Sequence, residues 1–181
     1  MFENRQYISV SDDNCRYLLS SSIKKYIRKK VKKHNEIVVF CIGTDRATGD
    51  SLGPLVGTKL TQMGINNVIG TIDKPVHAVN IDDKINQLYS NYKRPVVLAI
   101  DACLGIYNHI GSLSIWEGAL SPGAGISKDL SEIGDISITG IVNKWSYNGI
   151  VQLQSTRLSI VMNMAEVIAD SIYDVLKDID V

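Results

Sequence analysis

Two aspartates have the types and positions best suited to breaking a covalent bond. Asp50 lies in the loop GTDRATGDSLGP, between a predicted strand and a predicted helix. Asp101 directly follows the apolar run PVVLAI, which we predict to be a strand that ends at this residue. Ligands of open parallel sheets bind beyond the carboxyl ends of the strands. If the two strands are neighbours, both carboxyl groups face one cleft.

Such a pair has a defined chemical use. Two close carboxyl groups cannot both ionise cheaply, so one of them keeps its proton near neutral pH. The ionised group can take a proton from water, and the protonated group can polarise a carbonyl or protonate a leaving amine. The same oxygens could instead bind a divalent metal. Each aspartate also has a purely structural alternative, Asp50 as a helix N-cap and Asp101 as a turn residue.

Other polar residues give weaker signals. His77 follows a plausible strand end and is the best candidate for a third site residue, although a structural role is also open to it. The spacing of the three histidines lacks HxH and HxxxH, and the three cysteines contain no CxxC, which argues against a zinc ribbon. The glycine loop lacks both GK[ST] and GxGxxG, so it is a poor nucleotide signal.

Strands and helices must alternate to position these residues. Residues 1–12 are predicted to be a polar arm or an edge strand, and a last helix is predicted to begin at an N-cap formed by Ser155. The apolar periodicity between them predicts helix 14–33, strand 36–42, helix 52–63, strand 67–72, helix 82–92, strand 95–101, and strands 112–117 and 135–142. This order predicts a three-layer α/β/α fold with a mixed, largely parallel sheet.

The composition indicates one ordinary domain. The chain has 181 residues, of which 45% are hydrophobic and 21% charged, which excludes a disordered or fibrous protein. Its longest apolar runs have six residues, far short of the ~20 that span a bilayer. We therefore expect no membrane association and a cytoplasmic location. The predicted single domain, 1–181, comprises the arm 1–12, a basic helix 14–33 and a core over 36–177.

The charge is unevenly distributed along the chain. Residues 24–33 contain seven Lys or Arg and no acid, and the rest of the chain carries a net charge of −7. This balance argues against a dedicated nucleic-acid binder. The basic stretch is either the solvated face of a helix or a dock for an acidic or nucleic-acid-bound partner. The irregular stretch 118–134 is either a binding loop or an ordinary excursion of the chain.

Four motifs together resemble one family. The segments GTDRATGDSLGPLVG, AIDACLG, SPGAGISKDLSEIGDISITGIVN and LQSTRL look like those of the YyaC family of sporulation proteins, over about residues 36–177. That family resembles the spore germination protease, and both are similar in fold to the hydrogenase-maturation endopeptidases, with a phosphorylase-like core.

The resemblance implies a role for the two aspartates. The germination protease is an acid-type endopeptidase whose catalytic aspartates lie in D-x-L-G-P and at a buried strand end, positions matched here by Asp50 and Asp101. The implied function is a sporulation or germination endopeptidase that uses this pair and an activated water, without a cofactor. Thr44, Asp45 and Gly49 would shape the surrounding loop. The implied substrate is a protein or peptide, such as a small acid-soluble spore protein, in the forespore or spore core.

The sequence departs from these relatives in two ways. The maturation peptidases also use a histidine to hold the nickel of their substrate, whereas the corresponding later strand end here offers Thr139 and Asn143, which weakens the metal interpretation. The chain also lacks much of the germination protease's length, so the substrate does not transfer with the aspartates. By position, the stretches 135–139 and 156–158 are expected to line the cleft. A non-catalytic peptide-binding module and a metal-dependent maturation-type peptidase remain alternatives, and homo-oligomerisation is left open.

Overall fold

A six-stranded sheet forms the centre of the molecule. The structure, a computed structural model, describes residues 5–31, 36–123 and 130–179. The strands are β1 (Gln6–Ser9), β2 (Ile37–Cys41), β3 (Val68–Ile69), β4 (Val96–Gly105), β5 (Ser112–Glu117) and β6 (Ile136–Lys144). The helices are α1 (Cys15–Lys30), α2 (Leu52–Gln62), α3 (Ile81–Asn91), α4 (Gly149–Gln154) and α5 (Leu158–Asp178).

The sheet is mixed and largely parallel, as predicted. Its strand order is β1-β5-β6-β4-β2-β3. The four strands β3, β2, β4 and β6 run parallel, whereas β5 pairs antiparallel with both β6 and β1. The two strands that precede the aspartate segments, β2 and β4, are therefore neighbours.

Helices cover the central strands on both faces. All five residues of β2 and the first six of β4 are buried, because apolar helix faces pack on each side of them. Side chains of α1, α2 and α5 form the core on one face, and α3 packs in the core on the other. This arrangement confirms the α/β fold with helices on both sides of the sheet.

Some element boundaries differ from the prediction. β3 has two residues rather than six, and β4 continues four residues beyond Asp101. Ser155 does not begin the last helix, because the short helix α4 precedes it and ends at this residue. The Asn148 side chain accepts a hydrogen bond from the Val151 amide at the start of α4, and α5 begins after Arg157.

The structure partly decides between the alternatives stated for the arm, residues 1–12, and for the basic helix α1. Residues 6–9 form an edge strand, β1, beside β5. On α1, Lys24 pairs with Asp178, and Lys29 and Lys30 both pair with Glu117, so part of the basic charge is used within the chain. Residues 32 and 33 of the basic stretch 24–33 lie outside the described residues. Among the helices in the described ranges, none is both long and apolar enough to cross a bilayer.

The irregular stretch between β5 and β6 is described only at its ends. Leu120 and Ile133 form an antiparallel bridge and belong to the core on the α3 face. Because β5 ends where β6 begins, these ends lie at the amino edge of the parallel strands. Residues 124–129 of the predicted binding loop lie outside the described residues.

Candidate active site

A tight turn after β2 fixes the Asp50 side chain. The amide of Thr44 donates to Asp50 Oδ2 at 2.9 Å and to the Asp50 carbonyl at 3.2 Å. Gly43 has a φ of +133°, and a Cβ atom there would overlap the Asp50 carbonyl oxygen. Asp50 itself lies in the 3₁₀ turn Gly49–Ser51 that leads into α2, which carries no side-chain N-cap bond. Asp50 is therefore oriented toward the loop and is not the N-cap of α2.

Asp101 lies where β4 loses one of its partner strands. β2 pairs with β4 only as far as Ile100, whereas β6 continues alongside β4 to Gly105. The prediction that the strand ends at Asp101 is therefore wrong, because β6 still supports it. On this part of the strand, the Ala102 amide donates to Asp101 Oδ1 at 2.8 Å. Asp101 is only 8% exposed.

The charge of Asp50 acts on the neighbouring carboxyl group of Asp101. Burial raises the pKa of Asp101 well above its usual range, and the charge of Asp50 raises it further. Burial also raises the pKa of Asp50, but the Thr44 amide and the charge of His77 oppose this shift. We infer that Asp101 keeps its proton while Asp50 carries the charge, which is the division of roles that general acid–base catalysis needs.

An isolated β-bridge at the preceding residue positions His77, whose charge acts on Asp50. Val76 forms a parallel bridge with Ile42, and its carbonyl accepts the Gly43 amide at 2.7 Å. His77 Nδ1 accepts a hydrogen bond from the Val79 amide at 3.3 Å. When Nδ1 accepts this bond, the ring carries its proton on Nε2. Asn80 fixes the loop by accepting the His77 amide at 2.8 Å.

Thr139 lies beside Asp101, in the middle of β6 rather than at its end. The two residues are partners in the sheet register, and Thr139 is 7% exposed. Its hydroxyl hydrogen-bonds the Ser114 hydroxyl at 2.8 Å. Sequence reasoning missed Ser114, because no motif surrounds it and only the β5–β6 register brings it to the site.

Cys103 also lies close to Thr139. Burial raises the pKa of its thiol to about 11, and a hydrogen bond with Thr139 opposes that shift. At neutral pH the thiol is protonated, which is unfavourable for a cysteine nucleophile.

Asn143 supports the Asp50 turn indirectly, through α4 and Thr156. Its amide donates to the Gln152 carbonyl at 2.9 Å and to Thr156 Oγ1 at 3.2 Å. Thr156 is buried and lies against Gly49, where an added Cβ atom would be 2.8 Å from its hydroxyl oxygen. Asn143 and Thr156 thus connect α4 with the turn that carries Asp50.

Two further predicted positions fall at the margin of the site or outside it. Asp45 is exposed, and its carboxylate is 3.4 Å from the Thr44 hydroxyl. Asp135 does not line the cleft, because it accepts the Val97 amide at 2.9 Å near the amino end of β4. In the described part of the chain, no group of three or more His, Cys, Asp or Glu side chains could hold a metal ion.

Comparisons with known proteins place the chain in a family. Residues 7–171 match the family described as "Protein of unknown function (DUF1256)", and the chain belongs to it. The chain is 49% identical over 170 residues to the "Uncharacterized protein YyaC" of Bacillus subtilis (strain 168), covering 93% of this chain and 82% of that protein.

A solved structure has a similar fold. The [NiFe] hydrogenase maturation protease HycI from Thermococcus kodakarensis KOD1 matches with a TM-score of 0.56 and 18% sequence identity. The match covers 86% of this chain and 98% of that protein. The fold is therefore similar to that of a maturation protease.

Proposed function

We propose that this member of the DUF1256 family is an endopeptidase of sporulating or germinating cells, in which Asp50 and Asp101 activate a water against a peptide bond. The observation that carries the proposal is the pair itself. A turn and a neighbouring strand bring two carboxyl groups to the same edge of the sheet, where burial and the charge of Asp50 raise the pKa of Asp101.

The chemistry assigns a different step to each carboxyl group. Asp50, ionised and held by the Thr44 amide, takes a proton from water while the water oxygen attacks the carbonyl carbon. Asp101, protonated, donates its proton to the carbonyl oxygen as the tetrahedral intermediate forms. When the intermediate collapses, the C–N bond breaks and Asp50 returns a proton to the leaving amine. The proton on the former carbonyl oxygen then returns to Asp101, so both carboxyl groups regain their starting protonation states.

The surrounding residues suit a peptide ligand. His77 offers a proton on Nε2, and Thr139 offers a hydroxyl beside Asp101. The substrate that the sequence resemblance suggests is a small acid-soluble spore protein, met in the forespore or spore core.

The test replaces each aspartate by its uncharged amide. Purified chain is incubated with a small acid-soluble spore protein, and the fragments are measured by mass spectrometry. We expect Asp50→Asn and Asp101→Asn each to lower the cleavage rate by about 10²–10⁴-fold. Asp83→Asn, an exposed carboxylate of α3, is the matched control and keeps the wild-type rate. Cleavage by both site variants at the wild-type rate would refute the proposal.

A non-catalytic peptide-binding module on the same fold is the second candidate. The low exposure of Asp101 favours it, because a nearly closed carboxyl group can also serve as a fixed hydrogen-bonding partner. A pure binder keeps its affinity for the spore protein in both Asp→Asn variants, which isothermal titration calorimetry measures.

The third candidate is a metal-dependent maturation-type peptidase, which the fold similarity to HycI favours. Equilibrium dialysis against nickel or zinc separates it from the aspartate mechanism. Stoichiometric binding that is lost in Asp50→Asn and Asp101→Asn would favour the metal-dependent reaction.

A further inference from the structure

Exposed apolar side chains are concentrated around the candidate site. In the described part of the chain, half of the large apolar side chains that face solvent lie between β4 and β5 or between β6 and α5. Tyr147 is 99% exposed, Tyr107 77% and Trp145 59%. We define the apolar rim as Ile106, Tyr107, Trp145, Tyr147, Ile150 and Val151. A grouped exposed apolar surface typically marks an interaction site, whereas scattered single residues do not.

The rim has a folded framework. The Trp145 amide donates to the Gly105 carbonyl at 2.7 Å, which joins the segments that follow β6 and β4. The rings of Trp145 and Tyr147 pack edge to face, with their centroids 5.2 Å apart. The rim therefore presents aromatic surface in a defined arrangement.

The two segments that carry the rim contain basic residues and no acidic ones. The stretches 102–116 and 136–165 contain the whole rim, and they hold no Asp or Glu. Lys144 and Arg157 are exposed in or beside the rim, and neither forms an ion pair within the described ranges. This charge complements an acidic ligand.

The rim is continuous with the Asp50 turn. Ile150 and Val151 belong to α4, and Leu153 of the same helix would lie 3.0 Å from a Cβ atom on Gly49. A ligand on the rim is therefore bound next to the turn that carries Asp50.

We propose that the apolar rim is the surface that selects the substrate, and that it binds an extended peptide segment with apolar side chains and acidic neighbours. The proposal rests on the proposed function, since it names the substrate class of that site. Aromatic side chains supply the contact area, and Lys144 and Arg157 supply the charge that favours acidic over basic segments.

A peptide fits these observations better than a membrane surface does. Sequences that bind anionic lipid carry clusters of about 4–8 Lys or Arg. The segments that carry the rim have two such residues, Lys144 and Arg157, and the rim adjoins a pair of carboxyl groups suited to a peptide bond.

The test uses three fluorescein-labelled peptides of one length and the full chain. The first alternates Leu or Phe with Glu, the second replaces every Glu by Lys, and the third replaces every apolar residue by Ser. Fluorescence anisotropy measures binding at low salt. We expect the first peptide to bind at least about tenfold more tightly than the other two. Equal binding of the three, no binding of the first, or preference for phosphatidylserine vesicles overturns the proposal.

Substitutions then locate the binding surface. The double variant Trp145→Ser/Tyr147→Ser should weaken binding of the first peptide by about tenfold or more. Tyr17→Ser, which removes an exposed ring from α1, is the matched control and leaves binding unchanged.

The double variant Lys144→Glu/Arg157→Glu tests the charge. It should also weaken binding of the first peptide, and the loss should be smaller at high salt. Lys25→Glu on α1 is its control and should not weaken binding. Unchanged binding in the Trp145/Tyr147 variant overturns the proposal.

Binding and cleavage, measured separately, distinguish this inference from the proposed function. If the peptide binds at the rim but no spore protein is cleaved, the proposed hydrolysis fails and the inference stands. If a spore protein is cleaved equally by the wild type and the Trp145/Tyr147 variant, the inference fails and the proposed hydrolysis stands.

Discussion

At the scale of single residues, the two aspartates differ in the groups that counteract the rise in pKa caused by burial. Asp50 has the Thr44 amide and the charge of His77 to stabilise its ionised form. Asp101 has the Ala102 amide, and the neighbouring Asp50 charge works against its ionisation. A pair that is chemically identical in the sequence is thus made unequal by its surroundings.

The raised pKa of Asp101 predicts a pH-dependent cost to stability. The folded pKa lies above the unfolded one, so the unfolded state binds fewer protons and stability falls as pH rises from about 4 through the folded value. Asp101→Asn removes this cost. We expect the Tm of the variant, relative to the wild type, to rise by a few degrees between pH 4 and pH 7.

Differential scanning calorimetry at both pH values checks this expectation. Asp83→Asn serves as the control, since its carboxylate is exposed on α3 and its relative Tm should be independent of pH over that range. A relative Tm of Asp101→Asn that falls toward pH 7 would show that the ionised carboxylate stabilises the fold.

Asp50, Asp101 and His77 could be predicted as site residues from the sequence, because it shows both their residue types and their positions relative to the predicted strands. It could not identify Ser114, since its place beside Thr139 depends on the antiparallel pairing of β5 with β6. The sequence also placed Asn143 in the cleft, but its amide is used to hold α4.

At the scale of elements, the Asp50 turn depends on a helix that is distant in sequence. Gly49 is buried against Leu153, which belongs to α4, and against Thr156, which follows that helix. The space there is too small for a methyl group without a shift of the turn or of α4. The geometry of Asp50 is therefore set partly by α4.

Gly49→Ala should displace this turn. The new methyl group would lie 2.8 Å from the Thr156 hydroxyl and 3.0 Å from Leu153. We expect kcat for the proposed cleavage to fall by about tenfold or more with a smaller change in KM, because a displacement of about 1 Å can cost as much as 10²-fold in rate.

Gly64→Ala is the matched control. Its φ of +88° strains an alanine, but nothing lies within 4 Å of the added methyl group. It should lower stability by about 1 kcal/mol and leave kcat unchanged. An equal loss of kcat in both variants would mean that general destabilisation, rather than displacement of Asp50, is responsible.

Long periodic or continuously apolar elements were predictable, and short ones were not. The apolar runs of β2 and β4 and the helical stripe of α5 are strong local signals. α4 has six residues, too few for a clear period, and its start depends on one cap from Asn148. The end of β4 was missed because β6, not the β4 sequence, determines how far the pairing extends.

At the scale of the whole molecule, the two faces of the sheet are covered unequally. Side chains of three helices, α1, α2 and α5, pack in the core on one face, whereas side chains of α3 pack in the core on the other face. The alternation of elements predicted a layered α/β fold, but it could not give the strand order, which depends on contacts between segments far apart in the chain.

The three-helix core should determine stability without determining catalysis. Ile168 of α5 is fully buried in that core, and Met162 of the same helix is 48% exposed. Ile168→Ala should lower the free energy of unfolding by about 2–5 kcal/mol, and Met162→Ala should change it by less than ~1 kcal/mol. Urea unfolding followed by circular dichroism measures both.

The dependence of the Asp50 turn on Thr156 has a consequence for the order of biosynthesis. Gly49 leaves the ribosome early, while its packing partner is added more than a hundred positions later. At ~5–20 residues per second, this delay is on the order of 5–20 s. The turn that carries Asp50 therefore gains its packing partner only after most of the chain has been translated. Under the proposed function, the nascent chain would be inactive until then.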